Sequence, residues 1–335
     1  MLILGIESSC DETSVALVED GKNAIANLVS SQINIHSEFG GVVPELACRR
    51  HVEVINPLLD KLFKDSHYKL EQVDAVAVTN GPGLVGALLI GVAAAKAIAF
   101  SINIPLIGVN HLEGHIYANY LEEGKLNFPA VVLLVSGGHT TIFMVKGHGD
   151  YEIVGETKDD AAGEAYDKVA RMLGLGYPGG PVIDKLAKEG QPGKVAFPRA
   201  MMEKKDNFDF SFSGLKTAVV YFLKDEKNKD IPAAHIARGF QDAVVDVLVK
   251  KTLRAAEKHG VGHIMLAGGV GRNSQLRSEL VKAGKKRGME VHLPSPEYCT
   301  DNAAMIAAAG YFLLQRNKVS DLSLDAHPNL PLVRK

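Results

Sequence analysis

The sequence predicts an α/β chain built from two related halves, and three observations carry that expectation. The order hairpin, strand, helix, strand occurs twice along the 335 residues. Among the 33 glycines, the pairs Gly137-Gly138 and Gly268-Gly269 fall at the ends of apolar runs, where strands turn. Hydrophobic residues make up 46% and charged residues 23%, the balance of an ordinary globular protein and not of a disordered chain or a fibre.

The first half opens on residues 2–6 and 13–18, two β-type runs joined by Glu7-Ser8-Ser9-Cys10-Asp11-Glu12, which predicts an antiparallel hairpin. Over 49–63 the apolar residues Val52, Ile55, Leu58, Leu59 and Leu62 recur at helical spacing, although Pro57 opposes a helix there. Residues 73–79 read as a buried strand, followed by Asn80-Gly81-Pro82-Gly83 and an Ala/Gly-rich helix. A strand over 105–109 leads to Asn110, a plausible N-cap for the helix carrying His111 and His115. The pattern restarts with 130–135 and 140–145 around Ser136-Gly137-Gly138-His139, a second hairpin. Helices follow over 161–173, 182–188 and 231–259, with a Gly/Pro loop over 174–181. A strand at 263–267 meets Gly268-Gly269-Val270-Gly271-Arg272-Asn273 and a helix to about residue 287. A strand over 290–293, a loop over 294–301 and an alanine-rich helix over 302–315 complete the chain.

Charge and cysteine usage narrow the classes. Thirty-seven basic against 39 acidic side chains give a net charge of −2, which excludes a simple polycationic nucleic-acid binder. Cys10, Cys48 and Cys299 are far apart with no C-x-x-C pair, so neither a disulfide framework nor a zinc ribbon fits; a reducing, cytoplasmic setting does. The N-terminus lacks a basic region and reads as a first strand, not a signal peptide. The longest apolar stretch, 84–104, is broken by Lys96 and filled with glycine and alanine, a buried helix and not a membrane span.

Each chemistry-bearing motif has a plain alternative. The Gly137-Gly138 turn exposes backbone N–H groups to an anion, or is an ordinary hairpin turn. Gly268 to Asn273 follows a strand and opens a helix, a context for nucleotide contacts. It lacks the last glycine of a dinucleotide fingerprint, and no βαβ unit is expected around it. His111 and His115, one helical turn apart, can share a metal or be two surface histidines. Glu113 lies about 200° round the helix from His111, so it is no metalloprotease base. Asp301 is the candidate third ligand, or a helix N-cap; such a set suits iron or zinc. Asp11 and Glu12 orient a metal or nucleophile, or decorate a solvated turn. Asp167 and Asp184 accept ribose hydroxyls or sit on helix surfaces, and a Ser-Lys nucleophile in 210–217 has no supporting spacing.

Two glycine hairpins are expected at a common cleft, as in the actin–sugar kinase–chaperone ATPase superfold. Residues 1–112 with 302–335 form the first half on this reading; 113–301 form the second, with nucleotide loops and insertions. The ordered series Gly5 to Thr13, Asn80 to Gly83, His111 to His115, Leu134 to His139, Gly268 to Asn273 and Tyr298 to Asn302 closely resembles the bacterial branch of the universal tRNA threonylcarbamoyladenosine transferases, from about residue 2 to 325. The resemblance implies an actin-like ATPase fold and one transition metal, iron ahead of zinc, held by His111, His115 and Asp301. It implies binding of threonylcarbamoyl adenylate at Leu134, Val135, Ser136, Gly137, Gly138, Asp167, Gly180, Asp184 and Asn273. The acceptor implied is the exocyclic amine of the adenosine 3′ to the anticodon in tRNAs reading codons that begin with A, with AMP released. The partners implied are tRNA, a shorter actin-like paralogue and a small P-loop ATPase, with no membrane.

The residues suit that chemistry. Glycine-turn N–H groups hold a phosphate, a metal polarises the activated carbonyl, and Asp11 or Glu12 orients the amine or takes its proton. An actin-like small-molecule phosphotransferase, a metalloprotease and a non-catalytic actin-like scaffold are the competing classes. The metal ligands are expected to converge at the cleft between the halves, and the two glycine pairs to face each other across it. Basic residues are dispersed (Arg49-Arg50, Lys204-Lys205, Lys250-Lys251, Lys285-Lys286-Arg287), so the isolated chain is expected to bind tRNA weakly. The helices around 49–63 and 84–100 are the expected paralogue interface.

Overall fold

The computed structural model describes residues 1–123 and 127–333. The chain forms two compact units, Met1–Leu126 with Pro294–Lys335, and Asn127–Leu293.

The first unit begins with β1 (Leu2–Glu7), β2 (Glu12–Glu19) and β3 (Asn23–Ser31), then α1 (Ile33–Ser37) and α2 (Pro44–Ser66). After these come β4 (Ala75–Gly81), α3 (Val85–Ile102), β5 (Leu106–Asn110), α4 (His111–Tyr117) and α5 (Tyr120–Glu123). The sheet runs β3-β2-β1-β4-β5, with β1–β2 and β2–β3 antiparallel and β4 and β5 joined in parallel. Strand β1 is buried along its whole length, as befits a central strand covered on both faces. Its alternation divides the core: Ile3 faces one apolar cluster with Ala75, Ala77 and Ile107, while Leu4 and Ile6 face another with Val76, Val78 and residues of α2 and α3.

Three departures from the sequence reading occur here. Strand β3 was not expected, because it is a half-exposed edge strand whose residues do not alternate. Helix α2 starts at Pro44 and tolerates Pro57 inside it, with Val52 exposed instead of packed. Among the described residues α3 is the one helix long and apolar enough to cross a membrane, but here it is the crossover between parallel β4 and β5. Ala87, Leu88, Val92, Ala95 and Ala99 are buried on one side, whereas Val85, Leu89 and Phe100 are exposed. A buried helix therefore describes one face only.

The second unit repeats the winding. Strands β6 (Ala130–Val135), β7 (Thr140–Gly147) and β8 (Asp150–Glu156) precede α6 (Ala162–Met172), α7 (Gly179–Ala187), α8 (Ser213–Lys224) and α9 (Ala233–His259). Then follow β9 (His263–Ala267), α10 (Ser274–Lys285) and β10 (Glu290–His292). The order β8-β7-β6-β9-β10 matches β3-β2-β1-β4-β5 strand for strand, antiparallel and parallel joins included. Strand β8, another partly exposed edge, was also unforeseen. Because β9 and β10 are parallel with α10 between them, a βαβ unit does surround the Gly268 loop, contrary to expectation; the three elements were read, but not the parallel pairing that joins them. Gly180 sits in the first turn of α7 and not in the expected loop.

The chain then returns to the first unit through α11 (Pro296–Cys299) and α12 (Ala303–Gln315). Alanines at 303, 304 and 307–309 let α12 lie close on the sheet, and a Cβ at Gly5 would overlap the Ala303 carbonyl. Tyr117 and Leu121 share that core, so α4 stays with the first unit. The boundaries expected at 112/113 and 301/302 thus fall later and earlier, and His115 and Asp301 belong with His111.

Candidate metal centre and glycine loops

Helix α4 starts where β5 ends, capped by Asn110, whose Oδ1 accepts from the Leu112 N–H at 2.9 Å. That start fixes His111 and His115 on one face, their ring centroids 4.7 Å apart. Asp301 lies between α11 and α12. The N-cap of α12 is Asn302, whose Oδ1 accepts from Met305 N–H at 3.0 Å, so Asp301 is not consumed as a cap. Its Oδ1 instead lies 3.4 Å from His111 Nε2 and 3.2 Å from His115 Nε2. Ligands about 2.1 Å from a tetrahedral ion stand about 3.4 Å apart, so these separations fit one ion. Neither ring nitrogen of buried His115 makes a well-formed hydrogen bond, a costly state that coordination relieves. All three residues belong to one unit, so their convergence needs no second half.

Glu7, which sequence reasoning did not single out, completes the cluster. Its Oε2 lies 3.0 Å from His111 Nδ1 and accepts from the Thr79 hydroxyl at 2.6 Å, and its other oxygen accepts from Ser9 N–H. A proton on His111 Nδ1 leaves Nε2 free to ligate, the arrangement in which a carboxylate orients a metal-binding histidine. Burial opposes the charged imidazolium of His111, yet Asp301 and Glu7 hold its pKa well above the usual value. Burial likewise opposes the Asp301 carboxylate, but His111 and His115 keep its pKa far below the ordinary range. Burial, with His111 alongside, lowers His115. Glu12 is pushed up to about 9 by burial and then by Asp301 and Asp11, and its Oε1 accepts from the Ser31 hydroxyl at 3.1 Å. Asp11 is buried, so neither acid decorates a solvated turn. Acids crowded beside two imidazoles make a place for a cation.

The two glycine loops also lie within one unit, not in opposite halves. They follow β6 and β9, which pair in parallel through Leu134↔Ala267, so both sit at the carboxyl ends of adjacent strands. That is where open α/β sheets bind ligands. The first turn is closed by Ser136 N–H to His139 O at 2.8 Å and His139 N–H to Ser136 Oγ at 3.1 Å. A Cβ at Gly137, Gly138, Gly180 or Gly269 would meet nothing within 4 Å, so the backbone there faces open space. Gly268 differs: its φ is +86° and a Cβ would lie 2.5 Å from the Val135 carbonyl oxygen.

The chain is similar to known proteins along nearly its whole length. The model of the tRNA N6-adenosine threonylcarbamoyltransferase family matches residues 23–308. The chain belongs to that family. A tRNA N6-adenosine threonylcarbamoyltransferase of Clostridium perfringens (strain SM101 / Type A) is 52% identical over 333 residues, 99% of this chain and 98% of the relative. One from Carboxydothermus hydrogenoformans is 54% identical over 331 residues, with 99% and 98% covered. Two solved structures share the fold at low identity. Component A of (R)-2-hydroxyglutaryl-CoA dehydratase from Acidaminococcus fermentans has a TM-score of 0.56 at 15% identity, covering 93% of this chain and 98% of that one. Full-length HypF has a TM-score of 0.62 at 15% identity, covering 94% of this chain and 46% of that one. The fold is the actin-like ATPase fold, and the chain is a tRNA-modifying transferase; phosphotransferase and metalloprotease readings are not favoured.

Elsewhere in this transferase the expected nucleoside residues are tied into the second unit. Asp167 Oδ1 accepts from Gly179 N–H at 2.7 Å and anchors the start of α7. Asp184 accepts from Gln241 Nε2 at 3.1 Å and from the Ser274 hydroxyl at 3.0 Å. Asn273 caps α10 through Leu276 N–H at 2.9 Å and donates to Gln241 Oε1 at 2.7 Å. Buried Gln241 links them, and a lone glutamine in a long helix offers no motif by which to find it. His51 was missed for the same reason. Its Nδ1 accepts from the Thr13 hydroxyl at 2.7 Å and its Nε2–H donates to Cys10 O at 3.0 Å, which braces the β1–β2 turn. The Ser-Lys pair dissolves: Ser213 Oγ donates to Asp159 at 2.6 Å and Lys216 to Asp160 at 2.7 Å.

Proposed function

We propose that the chain transfers the threonylcarbamoyl group of threonylcarbamoyl adenylate to the exocyclic amine of the adenosine 3′ to the anticodon, in tRNAs reading codons that begin with A. The new N–C bond replaces the carbonyl–phosphate bond, AMP leaves, and the amine loses one proton. The meeting of Asp301 with the imidazoles of His111 and His115, one carboxylate oxygen within 3.4 Å of both Nε2 atoms, supports this reading above all. These three residues would hold one transition ion, iron ahead of zinc, which when bound supplies a Lewis acid for the donor carbonyl.

The other roles fall to the chain's own groups. Glu7 keeps a proton on His111 Nδ1 and so aims Nε2. The segment Leu134 through Gly138 binds the adenylate, with the N–H groups of Gly137 and Gly138 on the phosphate, and Asp167, Gly180, Asp184 and Asn273 line the nucleoside side. Asp11 or Glu12, side by side at the β1–β2 tip, orients the amine or takes its proton. The chain works in the cytoplasm with a shorter actin-like paralogue and a small P-loop ATPase. The apolar outer faces of α2 and α3, with Val52, Val85, Leu89 and Phe100 exposed, support the paralogue's place there.

The test is nucleoside analysis by mass spectrometry of tRNA incubated with the chain, those partners and the adenylate. Modified adenosine and AMP should accumulate one for one, and Asp301→Ala should abolish both. Modification undiminished in the variant would remove the metal triad from the reaction.

A further inference from the structure

The second unit contains three metal-ligating side chains that the transferase chemistry leaves unused. Strand β10 pairs in parallel with β9, Glu290 opposite His263 and His292 opposite Met265. Paired residues share a face of the sheet, as do residues two apart on one strand. His263, Glu290 and His292 therefore project from one face at the sheet edge. Glu290 is exposed, His263 partly so, and His292 is buried.

One ligand atom from each lies within 4.8 Å of the other two. His263 Nδ1 lies 3.3 Å from His292 Nε2 and 3.3 Å from Glu290 Oε2, and Glu290 Oε1 lies 4.0 Å from His292 Nε2. Charge-assisted hydrogen bonds close to about 2.7–2.9 Å, so these approaches are long for proton sharing. A single proton on His263 Nδ1 also cannot serve both neighbours at once. Ligands about 2.1 Å from one tetrahedral ion stand about 3.4 Å apart, which both contacts of His263 Nδ1 nearly match. The donor set, two imidazoles and a carboxylate, suits a borderline ion and not magnesium.

We propose that His263, Glu290 and His292 bind a divalent transition ion of the zinc type, with the remaining position open to solvent. The ion ties β10, a strand of only three residues, to β9. This site is separate from the His111, His115 and Asp301 cluster and stands whether or not that cluster acts as proposed.

The test is metal titration of the metal-stripped full chain, with Zn²⁺ by calorimetry and Co²⁺ by visible absorption. Asp301→Asn removes a ligand of the other cluster, so this background isolates the new site. In that background about one equivalent of Zn²⁺ should bind and raise the melting temperature, with no response to Mg²⁺. Adding His263→Gln and Glu290→Gln, both at solvent-accessible positions, should remove that equivalent and the thermal shift. Adding His292→Gln alone should do the same. Two results would each overturn the proposal. One is an Asp301→Asn chain that binds no Zn²⁺ at ~100 µM, where a site of micromolar affinity saturates. The other is unchanged stoichiometry after the His263 and Glu290 substitutions.

Discussion

Among the described residues Glu7 has no charge partner within hydrogen-bond distance other than the His111 ring, so the role proposed for it is to aim that ring. Glu7→Gln keeps the shape but lets its amide donate, which favours the wrong tautomer of His111. Metal affinity should fall about 10- to 100-fold, as for other partners that orient metal-binding histidines, with the melting temperature of the metal-free chain changed little. Calorimetric titration of the stripped protein measures this. The glycines give a paired prediction. Gly138→Val should abolish adenylate binding and leave the fold intact, because its Cβ enters open space. Gly268→Ala should cost about 1–3 kcal/mol of stability through its positive φ and the Val135 carbonyl. Denaturant unfolding and adenylate titration separate the two. The histidines, Asp301 and the glycines were legible because their roles depend on residue type and short spacing. Glu7, His51 and Gln241 were not, since each acts through a partner distant in sequence.

At the scale of elements, α9 contains a second kind of hidden chemistry. Lys251 is buried, donates to the carbonyls of Met201 and Asn207 at 2.8 Å, and has its pKa lowered to about 8 by burial. A free lysine titrates near 10.5, so between about 8 and 10.5 the unfolded chain binds more protons than the folded one. The penalty for burying the charge is complete below about pH 8 and relieved as pH rises toward 10.5. Relative to Lys251→Met, the natural chain should therefore gain stability with pH across that window, by up to ~1 kcal/mol per unit. Urea unfolding at pH 7, 9 and 10 reads the slope directly. Central strands and long helices were readable because they bury continuous apolar runs. Edge strands β3 and β8 bury little, so their residues give no period to find. The strand at β10 was readable, but its parallel pairing with β9 was not, so the βαβ unit around Gly268 escaped notice.

For the whole molecule, electrostatics set the expected affinity for RNA. With a net charge of −2, the chain lacks the concentrated cations that hold a polyanion against salt. Several basic side chains are further neutralised in ion pairs, among them Lys250 with Asp246 and Arg287 with Glu257. The purified chain should bind tRNA with a dissociation constant above ~1 µM at ~150 mM salt, tightening when its protein partners are added. A gel-shift series with and without the partners checks it.

The strand-for-strand match between the two sheets carries an evolutionary implication. One winding, used twice, ends in opposite chemistry: the β1–β2 tip presents acids, while the β6–β7 tip presents bare backbone N–H groups. Specialisation then lies in what each half sets at its tips, strand ends and helix starts, while the strands beneath need only keep their apolar faces. Proteins sharing 15% of their residues with this chain keep the same winding.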